Sequence, residues 1–313
     1  MDISFVIPAY NEEESIGILH GKISETMKSV TERYEILFVD DGSTDATYKR
    51  MKEISEHDDR VRVLKFRRNF GKSVALDEAF RRVSGEIVFT MDADLQDDPN
   101  EIPRFIEKIE QGYDLVSGWK QKRKDPVFSK NLPSKLFNFM IGVVSGLRLH
   151  DYNCGFKAYR RTVVNRISLY GELHRYVPAI AHSSGFQVTE IPVRHHSRPY
   201  GTSKFGISRF YRGFYDFITV VFLTRYLKRP MHLFGGIGLL FSTTGFLTCF
   251  YLTILWFGGE SIGSRPLLIL GVMLMLIGIQ FISTGLVAEM ITYGRQQKSR
   301  EDLVEKYLNG KNE

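Results

Sequence analysis

The sequence predicts an α/β domain with a mostly parallel sheet, followed by amphipathic interface helices and a transmembrane hairpin of two helices. Three observations lead to this prediction. Over the first 120 residues, short β-rich runs alternate with helical segments. Two later segments repeat apolar residues at helical spacing. Near the C-terminus, two stretches of more than 20 residues contain no Asp, Glu, Lys or Arg.

Strands and helices alternate in the first part of the chain. The predicted strands are Ile3–Pro8, Glu35–Val39, Val61–Phe66, Glu86–Met91 and Asp114–Ser117. The predicted helices are Glu12–Val30, Ser43–Ser55, Lys72–Val83 and Asn100–Gln111. Because ligands of such sheets bind beyond the carboxyl ends of the strands, the residues that directly follow a strand are the candidates for a functional site.

Two amphipathic segments follow. One repeats apolar residues from Leu132 to Leu147, and the other from Ile207 to Phe222. A face packed on a protein core is the ordinary interpretation of such a stripe. The second segment has basic neighbours and runs directly into the first uncharged stretch, so for it a position in the membrane interface is the better interpretation.

The uncharged stretches Met231–Gly259 and Pro266–Ala288 exceed the roughly 20 residues that cross a hydrocarbon core as a helix. Two buried core helices are the alternative, but core helices rarely run this long without a charge. The short link Glu260–Arg265 allows only a tight hairpin. The flanks of the hairpin carry Arg225, Lys228, Arg229, Arg295, Lys298 and Arg300, whereas its link carries only Arg265, beside Glu260. This distribution predicts that both flanks, and the large N-terminal domain, are cytoplasmic.

These features divide the chain into four predicted parts. They are a cytoplasmic N-terminal domain at residues 1–205, a juxtamembrane amphipathic helix at 206–229, the transmembrane helices at 230–294 and a cytoplasmic tail at 295–313. The N-terminus lacks a signal-peptide pattern, and two cysteines cannot form a disulfide framework, which favours a reducing compartment. The net charge of +6 comes without a nucleic-acid-binding motif, and much of it lies where anionic lipids would attract it.

Two carboxylates one residue apart, Asp92 and Asp94, follow the fourth predicted strand. They can converge on one hard cation, and Mg²⁺ and Mn²⁺ prefer such oxygen ligands. The alternative is that these residues cap the following helix. Asp97 or Asp98 suits a cap better, because Pro99 can then occupy the first helical position.

A second acidic pair, Asp40 and Asp41, ends the second predicted strand ahead of Gly42 and Ser43. A glycine-containing turn with Ser43 or Thr44 as the helix N-cap is the ordinary interpretation. It does not account for two adjacent acids at this edge, where a carboxylate is suited to bind the ribose or base of a nucleotide.

Four motifs in this order carry a resemblance to a known family. They are Pro8-Ala9-Tyr10-Asn11-Glu12, Asp40-Asp41-Gly42-Ser43, Asn69-Phe70-Gly71-Lys72 and Asp92-Ala93-Asp94-Leu95-Gln96. Together they resemble the inverting family 2 glycosyltransferases of the GT-A fold. The nearer resemblance is to the polyprenyl-phosphate glycosyltransferase and dolichol-phosphate mannose synthase group, whose bacterial members carry two C-terminal spans. It covers essentially the whole chain.

The resemblance implies roles for individual residues. The nucleotide-sugar site would comprise Pro8, Tyr10, Glu12, Asp40, Asp41, Lys72, Asp92, Ala93, Asp94, Arg198 and Lys204. The last two belong to a basic loop that would close on the donor phosphates. Asp94 and Gln96 would bind Mg²⁺ or Mn²⁺, and Lys130 and Ser134 the acceptor phosphate. The catalytic residues would be Asp151, Asp92, Arg198 and Lys204, although Asp151 could instead hold its own turn. One departure is Trp119, where the mannose synthases have an arginine.

The implied activity is metal-dependent transfer of a hexose, with inversion, to undecaprenyl phosphate on the cytoplasmic face of the inner (plasma) membrane. Glucose from UDP-glucose is the expected sugar, and N-acetylglucosamine, mannose, galactose and 4-amino-4-deoxyarabinose remain open. The product would donate its sugar in cell-envelope glycosylation. Two other functions are considered: a polysaccharide synthase, whose Gln-x-x-Arg-Trp sequence is missing here, and a non-catalytic nucleotide-sugar-binding scaffold. The resemblance also implies a homotetramer, and the lack of a nucleic-acid-binding motif predicts no nucleic-acid partner.

Overall fold

Seven strands form one sheet in the N-terminal part of the chain, in the order β3-β2-β1-β4-β6-β5-β7. The computed structural model describes residues 2–121, 141–142, 145–196, 230–263 and 265–298. It divides into two units, Met1–Thr224 and Arg225–Glu313.

The first half of the sheet is parallel. Its strands are β1 (Ile3–Ala9), β2 (Tyr34–Asp40), β3 (Val61–Lys65) and β4 (Ile87–Thr90). The helices between and after them are α1 (Ile16–Met27), α2 (Thr47–His57), α3 (Lys72–Phe80) and, after a 3-10 turn at Pro99–Glu101, α4 (Ile102–Glu110). Phe5 and Ile7 pack on the face covered by α1 and α4, and Val6 packs on the face covered by α3. Helices therefore cover both faces, as a buried parallel sheet requires.

The second half of the sheet inserts an antiparallel strand. It consists of β5 (Leu115–Lys120), β6 (Lys157–Arg160), α5 (Arg161–Arg166), a 3-10 turn at Leu173–Arg175, α6 (Val177–Ser183) and β7 (Val188–Val193). β6 runs antiparallel to both β4 and β5, whereas β5 and β7 are parallel. The mostly parallel sheet is thus confirmed, and β6 and β7 are additions that the sequence patterns did not predict.

Helices α1 and α2 begin later than their sequence patterns predict. Asn11 donates its backbone N–H to Ser43 Oγ at 3.0 Å, and its side-chain oxygen accepts the Thr44 N–H at 2.9 Å. The residues predicted to form the first turns of these two helices therefore belong to loops, and the two loops are hydrogen-bonded to each other. Neither Ser43 nor Thr44 caps α2, which begins at Thr47. The Asp98 cap is confirmed, because its side chain accepts the Asn100 N–H at 3.0 Å.

The second unit contains two long helices, α7 (Pro230–Phe257) and α8 (Pro266–Lys298). Both are long and apolar enough to cross a membrane. They pack antiparallel, since Gly238 lies against Gly278 and Gly245 against Gly271. At the open end of the pair, Glu289 accepts the Met231 N–H at 3.2 Å, which satisfies a donor that has no partner within its own helix.

Several predicted parts lie outside the described residues. These are the segment 206–229, residues 299–313 of the tail and most of the first amphipathic segment. The four-part division of the chain therefore stays a prediction.

Candidate active site

The loops that follow β1 and β2 meet at the carboxyl edge of the sheet. Besides the bonds between Asn11 and the second loop, Glu12 donates its N–H to Thr47 Oγ1 at 2.7 Å, and Asp41 donates to the Ala9 carbonyl at 2.9 Å. Pro8, near the end of β1, and Tyr10, in the first loop, are both half-buried. Two of the four sequence motifs are thus joined directly into one surface.

Asp40 is a buried carboxylate with one unsatisfied oxygen. The residue is 0% exposed, and its Oδ1 accepts the Ser43 N–H at 3.0 Å. Within the described part of the chain, Oδ2 is buried and accepts no hydrogen bond. Leaving a buried acceptor unpaired is costly, so the arrangement suits a ligand that donates a hydrogen bond, such as a nucleoside hydroxyl or base N–H.

Asp41 holds a neighbouring loop. Its two carboxylate oxygens accept the Phe70 N–H at 2.7 Å and the Gly71 N–H at 2.9 Å. Burial, together with the Asp40 charge, raises the pKa of Asp41 above its usual value against the opposing effect of these two bonds. Lys72 follows this loop directly, at the start of α3, and the predicted contribution of Asp41 to donor binding stays a prediction.

Lys72 and Asp92 form an ion pair between the loops that follow β3 and β4. The side chain of Asp92 is 32% exposed, so the pair is accessible to a ligand. Partial burial raises the pKa of Asp92, but the ammonium groups of Lys72, Lys120 and Lys157 outweigh burial and hold the pKa below its usual range. Asp92 is therefore a fixed negative charge among three cations.

In the turn after Asp92, the side chains alternate between the protein core and the surface. Ala93 and Leu95 are buried in the core, whereas Asp94 and Gln96 are half-buried at the surface. Leu95 has a φ of 61°, a left-handed conformation that is uncommon for a residue with a side chain, and Asp94 Oδ1 accepts the Gln96 N–H at 3.2 Å. Ala93 has a core-packing role here.

Asp94 and Gln96 offer the oxygen ligands that Mg²⁺ and Mn²⁺ prefer. Among the described residues there is no group of three or more His, Cys, Asp or Glu side chains suited to a metal. A cation held here would thus take its remaining ligands from substrate phosphates or water, as Mg²⁺ commonly does. The residues fit the predicted metal.

A second ion pair lies behind this turn. Lys120 Nζ is 3.6 Å from Asp97 Oδ1, and the Asp97 side chain is 1% exposed. Burial lowers the pKa of Lys120, but the charges of Asp97, Asp92 and Asp94 among others raise it above its usual range. Neither residue was among the predicted site residues. A charged residue at the end of β5 was a signal that could have indicated Lys120.

Asp151 lies in a turn held from two sides. The residue is 2% exposed, and its Oδ1 accepts the Asn153 N–H at 3.1 Å, so it does hold its own turn. The Glu190 carboxylate accepts the backbone N–H groups of His150 at 2.9 Å and Asp151 at 3.4 Å. The His150 ring also stacks on Trp119, with ring centroids 4.0 Å apart.

Lys157 is a site residue that the sequence patterns missed. It is 3% exposed at the start of β6, and its ammonium group donates to the Cys154 carbonyl. Burial lowers the pKa of Lys157 to about 8, against the opposing effect of the charges on Asp151 and Asp92. A lysine between the apolar Phe156 and the apolar pair Ala158 and Tyr159 is the signal that could have identified it.

Four predicted site residues, namely Lys130, Ser134, Arg198 and Lys204, lie outside the described residues. The described segment 145–196 ends two residues before Arg198 at the turn that carries Asp94 and Gln96, since His196 donates its N–H to the Gln96 carbonyl at 2.9 Å. Their roles stay predictions.

Comparison with known proteins gives the site a context. Residues 4–168 match the family "Glycosyl transferase family 2". The dodecaprenyl-phosphate galacturonate synthase of Rhizobium johnstonii is 40% identical over 313 aligned residues, which cover 97% of this chain and 92% of the relative. The undecaprenyl-phosphate 4-deoxy-4-formamido-L-arabinose transferase of Yersinia enterocolitica is 35% identical over 292 residues, covering 92% of this chain and 88% of the relative.

A solved structure shares the fold of the N-terminal unit. The glucosyl-3-phosphoglycerate synthase of Mycobacterium tuberculosis, in complex with Mn²⁺, UDP-glucose and phosphoglyceric acid, superposes with a TM-score of 0.53 and 19% identity. The match covers 71% of this chain and 78% of that structure. The likeness confirms the expected GT-A fold.

The family match spans more than half of the chain, and the full-length relatives are polyprenyl-phosphate sugar transferases. The chain therefore belongs to glycosyl transferase family 2, as a glycosyltransferase of the polyprenyl-phosphate group.

Proposed function

We propose that this enzyme transfers a sugar from a UDP-sugar to a polyprenyl phosphate at the cytoplasmic face of the inner membrane. The observation that carries the proposal is the 40% identity to a dodecaprenyl-phosphate galacturonate synthase over nearly the whole of both chains. The aligned length includes the two apolar helices, which supports a lipid acceptor. The unsatisfied oxygen of Asp40 supports a nucleotide donor.

Galacturonate is the first sugar to test. The two relatives are named for galacturonate and for 4-deoxy-4-formamido-L-arabinose, and neither is named for glucose. The expectation of glucose has no support from them, whereas the formamido sugar is close to the 4-amino-4-deoxyarabinose alternative. We rank galacturonate first because its synthase is the more similar of the two, and glucose remains a comparison substrate.

The residues suggest how the donor is held. Asp40 would bind the nucleoside together with Pro8, Tyr10 and Glu12. Arg198 and Lys204 would stabilise the negative charge that develops on the diphosphate as the glycosidic bond breaks. A divalent cation held by Asp94 and Gln96 would neutralise the diphosphate further.

The acceptor needs little activation. A phosphate monoester has a second pKa of about 6, so it is largely dianionic at neutral pH and can attack without a strong base. Lys130 and Ser134 would bind it on the opposite side of the sugar, which inverts the anomeric centre. Asp151, buried and already bonded to its own turn, suits an orienting role better than proton abstraction.

The arrangement in the membrane is also a proposal. Two helices able to span a bilayer, with an excess of basic residues on their flanks over the single Arg265 of their link, support a multi-pass protein with a cytoplasmic catalytic domain. A homotetramer is proposed from the family resemblance.

The test is a matrix of donors and acceptors with the full-length protein in nanodiscs. UDP-galacturonate, UDP-4-deoxy-4-formamido-L-arabinose, UDP-glucose and UDP-N-acetylglucosamine are each incubated with undecaprenyl phosphate or with octanol, in Mg²⁺ and Mn²⁺. We expect a lipid-linked product with undecaprenyl phosphate, and the fastest rate with UDP-galacturonate. Product with octanol alone would refute the lipid acceptor. UDP binding without any transfer would favour the non-catalytic scaffold.

A further inference from the structure

Lys157 occupies an unusual position for a lysine. It begins β6, where it pairs in register with Thr90 of β4 and Ser117 of β5, and only 3% of its surface is exposed. Lysine is almost never buried to this extent without a specific partner, because removing an ammonium group from water is unfavourable. The predicted roles of donor, metal and acceptor residues do not use this charge.

The lysine holds the turn that carries Asp151. Its Nζ donates to the carbonyl of Cys154, which ends the sequence Asp151-Tyr152-Asn153-Cys154. The charge of Asp151 is also near enough to affect the protonation of Lys157. The turn is therefore fixed from its buried side by Lys157 and at its other end by Glu190, which accepts the Asp151 N–H.

The same segment is in contact with Asp92. Gly155 follows Cys154, and a Cβ atom built on Gly155 would lie 2.6 Å from Asp92 Cγ. The Gly155 carbonyl accepts a hydrogen bond from Thr90 Oγ1 at 2.8 Å, which ties the segment to the end of β4. One stretch of five residues thus connects the two carboxylates, and Lys157 lies directly behind it.

We propose that Lys157 is a positioning residue for sugar transfer: its buried ammonium group fixes the segment from Asp151 to Gly155, and through it the relative positions of Asp151 and Asp92. The proposal rests on the proposed transferase function and adds a residue to it. A misplacement of about 1 Å in reacting groups can reduce the rate about 100-fold, so such a support has a measurable effect.

A purely structural role predicts a different result. Removing the ammonium group leaves the Cys154 carbonyl without its donor and the nearby Asp151 and Asp92 charges without this cation, which costs stability. If Lys157 served the fold alone, its loss would change stability and all binding together. If Lys157 is a positioning residue, its loss lowers the rate of transfer while the protein still folds and binds the nucleotide.

The experiment compares Lys157→Met, Lys157→Arg and the control Lys52→Met, an exposed position on α2, in the full-length protein. The measurements are kcat and donor KM with the best donor of the wild type, UDP affinity by calorimetry in Mn²⁺, and Tm. For Lys157→Met we expect kcat to fall about 100-fold and UDP affinity to stay within about threefold, with a lower Tm in a protein that still folds. Lys157→Arg should recover at least about a tenth of the wild-type kcat, and Lys52→Met should match the wild type.

Two results would overturn the proposal. One is a kcat within about twofold of wild type for Lys157→Met, and the other is a parallel loss of kcat, UDP affinity and Tm. In both, the wild-type protein transfers sugar, so the proposed function stands. A wild-type protein that transfers no sugar to polyprenyl phosphate would instead overturn the proposed function, and this proposal with it.

Discussion

Gly155 packs directly against the carboxylate of Asp92, so closely that a Cβ atom at position 155 would lie 2.6 Å from Asp92 Cγ. The contact joins the loop after β4 to the segment just before β6, a strand that the sequence patterns did not predict. It makes the position of Asp92, and of the Lys72 ammonium paired with it, depend on the absence of a side chain at residue 155.

Gly155→Ala should therefore displace Asp92. We expect kcat/KM for transfer to fall at least about tenfold, because the Lys72 pair must shift with the carboxylate. The matched control is Gly21→Ala on α1, where an added Cβ has nothing within 4 Å and alanine favours the helix. Equal activity of the two variants would show that the Asp92 position tolerates the methyl group.

Asp40→Asn tests the unsatisfied oxygen. Asparagine keeps an acceptor for the Ser43 N–H but replaces the second oxygen by a donor. We expect UDP affinity to fall about tenfold, since a hydrogen bond to a charged group is worth roughly 1.5–3 kcal/mol, with an unchanged Tm. Calorimetry measures the first and thermal unfolding the second.

Asp41→Asn is the contrasting variant. Both Asp41 oxygens accept backbone N–H groups. The side-chain NH2 group of an asparagine at this position would therefore face one of these N–H groups, and two donors cannot form a hydrogen bond. This variant should lose thermal stability, which Asp40→Asn should not. The opposite pattern would reverse the roles assigned to the two acids.

His174 should make the fold sensitive to acid. Its Nδ1 is 2.9 Å from Ser73 Oγ, and burial lowers the pKa of His174 to about 2, with the nearby Lys72, Arg175 and Lys157 charges acting in the same direction. Between about pH 2 and 6.5, His174 is protonated in the unfolded chain but stays neutral in the folded protein. This contribution to stability is therefore complete above pH 6.5 and is lost as the pH falls.

At pH 5 the loss from His174 would be about 2 kcal/mol. We expect the Tm of His174→Gln to fall less than that of the wild type between pH 7.5 and pH 5. His57→Gln, on an exposed histidine of α2, should keep the wild-type pH dependence. Identical pH dependence in all three proteins would contradict the buried neutral state of His174.

The hairpin offers a test of close helix packing. A Cβ atom at Gly278 would lie 2.6 Å from the Gly238 carbonyl oxygen, so Gly278→Leu should force α7 and α8 apart. Gly236→Leu is the control, because nothing lies within 4 Å of its added Cβ. We expect disulfide crosslinking between cysteines placed on the two helices to fall for Gly278→Leu alone. Equal crosslinking would contradict the packed hairpin.

Local patterns predicted the elements that are continuous in sequence. The first five strands and the two apolar helices were predicted because β-rich runs and uncharged length are local properties. Strand β6 was not predicted, because it has only four residues and its partner strands, β4 and β5, precede it by dozens of residues. The starts of α1 and α2 were predicted too early, because loop-to-loop bonds such as Asn11 to Ser43 are long-range.

The site was predictable to a similar extent. The strand-end rule indicated Asp40, Asp92 and Asp94, and the family resemblance supplied their roles. Lys120 and Lys157 were missed because their importance comes from burial beside Asp97 and behind Cys154, and neither contact leaves a motif. Asp41 differs from these lysines, because the sequence indicated it as a site residue. Only the fold shows which backbone N–H groups its carboxylate accepts.

The most direct test of the account is metal-dependent transfer by Asp94→Ala. The full-length variant and the exposed control Asp59→Ala are assayed in nanodiscs with the best UDP-sugar and undecaprenyl phosphate, in Mn²⁺ or in excess EDTA. We predict that the control forms the lipid-linked sugar in Mn²⁺ and not in EDTA, and that Asp94→Ala loses at least about 100-fold in rate while folding and inserting normally. Wild-type rates from Asp94→Ala in excess EDTA would contradict the assignment of the carboxyl edge as the metal-dependent transfer site.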